Sequence, residues 1–140
     1  HAAVPQHLAC VVDVADGVPM LHGHHDALSR AVTNVLLNAV HACGDRGTIT
    51  ARVACALAGE TSEIIVSVRD TGEGIPPERL AAIWDPYVTH KAGGTGLGLA
   101  IVKQTVLAHG GRVDAKIEQG IGTEIRLIFP AVHLERMEQE

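Results

Sequence analysis

Between His24 and Cys43 apolar side chains recur at helical spacing, at Leu28, Val32, Val35, Leu36, Ala39, Val40 and Cys43, and Gly44 and Gly47 end the pattern. The period then changes. "GTITARVACAL" and "SEIIVSVRD" are β-branched and partly alternating, with Ala58-Gly59-Glu60 between them as a hairpin connection. A helix with one apolar stripe and a hairpin with one apolar face each need a surface to bury against, and each can serve the other. The expectation is an α+β fold, a two-layer α/β sandwich whose helices cover one face of a sheet.

The remaining stretches extend the same plan. "HLACVVDVADGVPMLHG" is rich in valine and broken by Asp16-Gly17, which predicts two short strands around a turn. "TGEGIPPERLAAIW" reads as a glycine turn feeding a short helix with Pro76 and Pro77 in its first turn, where proline is tolerated. A further helix is expected over about 97 to 109, closed by Gly110-Gly111. The last two strands, "RVDAKIE" and "TEIRLIFP", flank Gln119-Gly120-Ile121-Gly122. That makes about three helices on a mixed, mostly antiparallel sheet. With 140 residues the chain fits one domain, 1–130, followed by a charged tail, 131–140.

Composition narrows the function classes. Hydrophobic residues make up 46% but aromatic ones only 2%, so the core must be built of Ala, Val, Leu and Ile around Trp84, Tyr87 and Phe129. A net charge of -5 argues against nucleic acid, whose phosphates call for a basic face. Cys10, Cys43 and Cys55 follow no C-x-x-C spacing, which favours a reducing compartment and a packing role. No apolar run has the length of a membrane span, so direct membrane contact is not expected.

Three features could carry chemistry. On the first long helix, Asn34, Asn38 and His41 share a narrow sector away from the apolar stripe. Asparagine prefers caps and turns to mid-helix, so the pair either lines a site or lies on a solvated face. Asp70 ends a strand and precedes Thr71-Gly72-Glu73-Gly74. It could close an Asx-turn on its own backbone, or serve as a buried acceptor for the 6-amino group of adenine. Finally, "GGTGLG" (93–98) runs into a helix N-terminus, where free amides and the helix dipole favour an anion. Its spacing fits neither the P-loop nor the dinucleotide or protein-kinase loops, and a mobile surface loop is the plain alternative.

Taken together, "NVLLNA" (34–39), "DTGEGI" (70–75), "IWDPYVTHK" (83–91), "GTGLGLAI" (94–101) and "GIGT" (120–123) resemble the N, G1, F, G2 and G3 boxes of the sensor histidine kinase catalytic domain. That domain belongs to the gyrase, Hsp90, histidine kinase and MutL superfamily, with its Bergerat ATP-binding fold. The resemblance runs from about residue 5 to residue 130. It implies that ATP and Mg²⁺ bind here. Asp70 would accept from the adenine amino group, with Gly72, Gly74 and Ile75 shaping the pocket. Asn38 would offer its side-chain oxygen to Mg²⁺, Asn34 would sit beside the phosphates one turn earlier, and His41 stands where relatives carry a phosphate-proximal residue. Gly94, Thr95, Gly96, Leu97 and Gly98 would form a hinged lid over the triphosphate, Lys91 would contact the γ-phosphate, and Thr123 would close the far side.

The departures are instructive. Trp84 replaces the usual phenylalanine of the F box, with Tyr87 as the second ring. Asn34 stands where ATP-hydrolysing members carry a glutamate, and an amide cannot take a proton from water. Phosphoryl transfer to an imidazole relies on positioning, so asparagine suits a kinase. The resemblance places the acceptor histidine on a separate dimerisation domain, and the phosphoryl group then passes to a response regulator. His25-Asp26 has the form of an acceptor dipeptide but lies at the start of the Asn34 helix, so it is assigned to capping, and the His22–His25 run gains no metal-ligand partners from the sequence. A cytoplasmic, bacterial location is implied, with a parent protein that could be membrane-anchored. Two other readings stay open: a serine/threonine kinase of the same superfamily, of the anti-sigma-factor type, and a catalytically silent nucleotide-binding module.

Overall fold

A computed structural model describes residues 8–14, 23–44, 46–59, 61–86, 98–118 and 121–131. Five strands form one sheet: β1 (Leu8–Val14), β2 (Gly47–Ala58), β3 (Thr61–Asp70), β4 (Arg112–Glu118) and β5 (Gly122–Pro130), in the order β1-β2-β3-β5-β4. Helix α1 (His25–Cys43) lies between β1 and β2 in sequence, α2 (Gly98–Ala108) precedes β4, and a 3-10 helix spans Pro77–Ala82. Because α1 carries the chain back along the sheet, β1 and β2 pair in parallel from Leu8 opposite Gly47 to Val14 opposite Val53. Tight connections make the β2–β3 and β4–β5 pairs antiparallel, and β3 and β5, far apart in sequence, also pair antiparallel.

Strand alternation decides which face the helices cover. Along β5, Thr123, Ile125, Leu127 and Phe129 are buried on the helix side, while Glu124 and Arg126 stand on the other and pair with each other at 3.0 Å. Ile49, Ile64 and Val68 join them from β2 and β3. Over this face lie Ala31, Val35 and Ala39 of α1 and Val102 and Val106 of α2. The lone phenylalanine sits in the middle of this otherwise aliphatic core, 2% exposed.

The expected two-layer α+β sandwich is therefore the observed one, with several local differences. The buried line of α1 runs through Ala31, Val35 and Ala39, while Val32, Leu36 and Val40 pack at its side. Alanines let the helix approach the sheet closely; the expected stripe already held Val35 and Ala39, its other members pack beside them, and it left out Ala31. His25 does not cap α1: the cap position is His24, extended, with no side-chain capping bond, although Asp26 does fall in the first turn. The helix after Pro76 is a 3-10 helix with no fully buried residue. Of the two strands expected before α1, β1 is present and residues 15–22 lie outside the described ones, as does the tail from 132. Cys43 packs against the core but Cys55 is exposed, so packing explains only the first. None of the described helices is long and apolar enough to cross a membrane.

On the open face, Glu63 of β3 and Arg112 of β4 reach across β5 and pair through both guanidinium nitrogens, with Nη2 to Oε1 at 3.1 Å. Hydrogen bonding from Arg112 holds the Glu63 carboxyl below its usual value of 4.5. A depressed carboxylate adds stability above its unfolded value and loses it as pH falls through its folded value. Glu63→Gln should therefore lower the melting temperature modestly at pH 7, with the gap to the unaltered chain closing in acid as the carboxylate is protonated. Thermal melts across that range check it; a gap that widens in acid would contradict the pairing.

Candidate functional site

The site begins where β3 ends. Alternation along β3 brings Ile64, Val68 and Asp70 to the core side, and Asp70 remains 4% exposed. Directly opposite in the ladder is Thr123 of β5, 5% exposed. Among the described residues these are the two buried polar side chains, and they are neighbours. A buried carboxylate needs hydrogen bonds to offset lost hydration. Asp70 Oδ1 accepts one from the Gly72 backbone N–H at 2.9 Å. Both sequence readings thus meet in one residue: Asp70 does close an Asx-turn, and it does so from inside.

The loop beyond is fixed against its surroundings. Thr71 N–H donates to the Thr48 carbonyl at 3.2 Å, and Thr48 N–H donates to Thr71 Oγ1 at 2.9 Å. A Cβ on Gly72 would stand 2.5 Å from the Ala42 carbonyl oxygen, so glycine here lets the loop lie against the last turn of α1. Gly74 has φ 76, a left-handed conformation natural to glycine. Ile75 is half-buried beside it.

Contact between Gly72 and Ala42 sets α1 over the Asp70 turn. Asn34 and Asn38 are half-buried and His41 is exposed. Each asparagine precedes a buried residue, Val35 or Ala39, and so lies about 100° around the helix from it. The amides border the core instead of opposing it, which accounts for asparagine in mid-helix better than a solvated face does. Amide oxygens one turn apart suit Mg²⁺, which needs few protein ligands and takes the rest from phosphates and water. Among the described residues no group of three His, Cys, Asp or Glu could hold a metal by itself.

The glycine segment is only partly in view. Lys91, Gly94, Thr95, Gly96 and Leu97, together with Tyr87 and His22, lie outside the described residues. Gly98, expected in the lid, is instead the first residue of α2, with nothing within 4 Å of a Cβ placed on it. Trp84 is half-buried and packs against the core, as an anchoring ring would. His25 pairs with Asp26 at 3.5 Å in full solvent.

Sequence reasoning missed two residues that shape the site. A Cβ on Gly122 would come within 2.0 Å of the Asp70 carbonyl oxygen, so this glycine lets β5 close on the end of β3. It falls in the GIGT stretch that resembles a family box, but the sequence assigned it no role of its own. Ala42 contributes through its backbone alone, which no side-chain pattern could signal.

Residues 23–133 match the family described as Histidine kinase-, DNA gyrase B-, and HSP90-like ATPase. The chain is 42% identical over 107 residues to the sensor histidine kinase ZraS of Salmonella typhi, which covers 76% of this chain and 22% of that protein. It is 34% identical over 126 residues to the sensory histidine kinase/phosphatase NtrB of Rhizobium meliloti strain 1021, over 81% of this chain and 33% of that protein. The chain thus spans about a fifth to a third of the length of these curated relatives. Among solved structures, the mycobacterial sensor histidine kinase MprB superposes with a TM-score of 0.79 at 30% identity, over 91% of this chain and 86% of that one. Full-length ShkA in complex with AMPPNP superposes with a TM-score of 0.77 at 28% identity, over 89% of this chain and 26% of that one.

The two glycines at the rim should behave oppositely. Gly72→Ala must push the loop off α1 and is expected to cost about 1–3 kcal/mol of stability. Gly98→Ala meets open space in a helix and is expected to be neutral or stabilising by up to about 1 kcal/mol. Denaturant unfolding of both variants measures the contrast.

Proposed function

Because the chain belongs to the histidine kinase-, DNA gyrase B- and HSP90-like ATPase family, we propose that it is the ATP-binding catalytic domain of a sensor histidine kinase. The observation that carries this reading is the buried Asp70 beside Thr123, at the foot of a helix bearing Asn34 and Asn38. In this reading Asp70 accepts from the adenine 6-amino group, with Gly72, Gly74 and Ile75 lining the base and Thr123 closing its far side. That full-length ShkA, which shares this fold, has been solved in complex with AMPPNP supports binding of an adenine nucleotide.

The phosphates then run along α1 toward the glycine segment. Asn38 and Asn34 offer amide oxygens to Mg²⁺, which when bound neutralises phosphate charge. His41, exposed one turn further on, is within reach of the same region. Gly94, Thr95, Gly96, Leu97 and the N-terminus at Gly98 form the lid, and Lys91 meets the γ-phosphate. Asn34, an amide, cannot deprotonate water at the place where hydrolysing members carry a glutamate. Binding energy goes into positioning: the γ-phosphorus–oxygen bond to ADP breaks as a bond forms to an imidazole nitrogen of a histidine on a separate dimerisation domain. The phosphoryl group passes onward to an aspartate of a response regulator. Use of ATP implies a cytoplasmic location for this domain.

Relatives that are named sensor kinases favour histidine over serine as the acceptor. Mixing the chain with labelled ATP, magnesium and the dimerisation domain of its own kinase should yield an acid-labile product; an acid-stable one would point to serine. Asp70→Asn should weaken ATP binding by about 1–3 kcal/mol through loss of a charged hydrogen bond. Calorimetry reads this directly, and unchanged affinity would count against the adenine assignment.

A further inference from the structure

Opposite the site, the two helices are fastened by a histidine. His109 follows the last turn of α2, and its Nδ1 lies 2.7 Å from the Thr105 carbonyl oxygen. Its Nε2 lies 3.0 Å from the backbone N of His24, the cap residue of α1. A backbone amide can only donate, so Nε2 accepts and Nδ1 carries the proton given to Thr105. The ring stands edge-on to Phe129, centroids 6.4 Å apart, and to His24 at 6.0 Å. Gly23 makes room for it: a Cβ there would fall 2.2 Å from the His109 ring.

This clasp fixes the geometry of the pair. The start of α1 meets the end of α2, and the helices pack alongside one another through the common core, so they run antiparallel. From His109 the 11 residues of α2 rise about 16 Å, the length of about 11 residues along α1 from its own start. Gly98, where the glycine segment enters α2, therefore stands level with the stretch between Asn34 and Asn38. We infer that His109 is a positioning residue: by joining α2 to the cap of α1 it sets the height and tilt at which the N-terminus of α2, at Gly98, stands beside Asn34 and Asn38 and faces the phosphates. This rests on the nucleotide reading above. It concerns the triphosphate and not the base, because the Asp70 turn is held by β2, β5 and the last turn of α1.

Three variants test it, each confirmed as folded by thermal melting, with ATP affinity read by calorimetry and adenosine affinity by NMR titration. His109→Phe keeps a ring against Phe129 but loses both hydrogen bonds. Gly23→Ala leaves His109 intact and displaces its ring. His109→Gln retains an acceptor and a donor. The first two should bind ATP about three- to tenfold more weakly, the worth of a hydrogen bond or so, with adenosine unchanged, and His109→Gln should recover most of the loss. Should His109→Phe fail to fold, the Gly23→Ala and His109→Gln pair carries the same comparison. ATP affinity within twofold of the unaltered chain in both His109→Phe and Gly23→Ala would overturn the inference while leaving the nucleotide site standing. Equal loss for ATP and adenosine would overturn it too, as the mark of general loosening. Absence of ATP binding by the unaltered chain would overturn the nucleotide reading itself, and this inference with it.

Discussion

Asp70 is a carboxylate held almost wholly out of water at the end of the central strand β3, and the surroundings are arranged to allow it. Gly72 turns its N–H back to Oδ1, Gly122 lets β5 approach its carbonyl, and Thr123 lies across the ladder. α1 ends directly over the same turn because Gly72 carries no side chain. Moving the carboxylate to a surface loop would release all four constraints at once. A fold that only needed to close a turn could have done so in solvent, without the desolvation that burial imposes.

The rest of the domain holds that arrangement in place. Small aliphatic residues, with alanines at 31 and 39, bring α1 close to the sheet, and Val102 and Val106 bring α2 beside it. Asn34 and Asn38 come to the margin of this core, where both are half-buried. By helical rise the start of α2 at Gly98 stands level with the stretch between Asn34 and Asn38, and the Asp70 turn lies against the last turn of α1. Such a layout favours binding and orientation of a charged, flat-based ligand over proton abstraction, in keeping with an amide where a hydrolase needs a base.

Much of this was legible in the sequence. Period changes located α1, the β2–β3 hairpin, α2 and the β4–β5 hairpin, because each element buries one face and the pattern of burial is the pattern of hydropathy. The boxes named Asp70, Asn34, Asn38 and Thr123 because their chemistry lives in side chains. What stayed hidden involves backbone or space. Neither the Ala42 carbonyl over Gly72 nor the room left by Gly23 and Gly122 has a side-chain signature. His109, one of nine histidines, could be distinguished only once its two nitrogens were seen with their partners. The role given to His25 failed for a related reason: composition suggested a cap, but the backbone turns into the helix one residue earlier.

Replacing the 6-amino group of the base by a carbonyl oxygen, with the accompanying proton on N1, removes the donor assigned to Asp70, so comparing ATP with inosine triphosphate by calorimetry, in magnesium, is the most direct measurement. A buried carboxylate that accepts from the amino group would face an oxygen instead, and inosine triphosphate should bind at least about thirtyfold more weakly, roughly 2 kcal/mol. Equal affinity for the two would mean that the carboxylate at the end of β3 does not read the base.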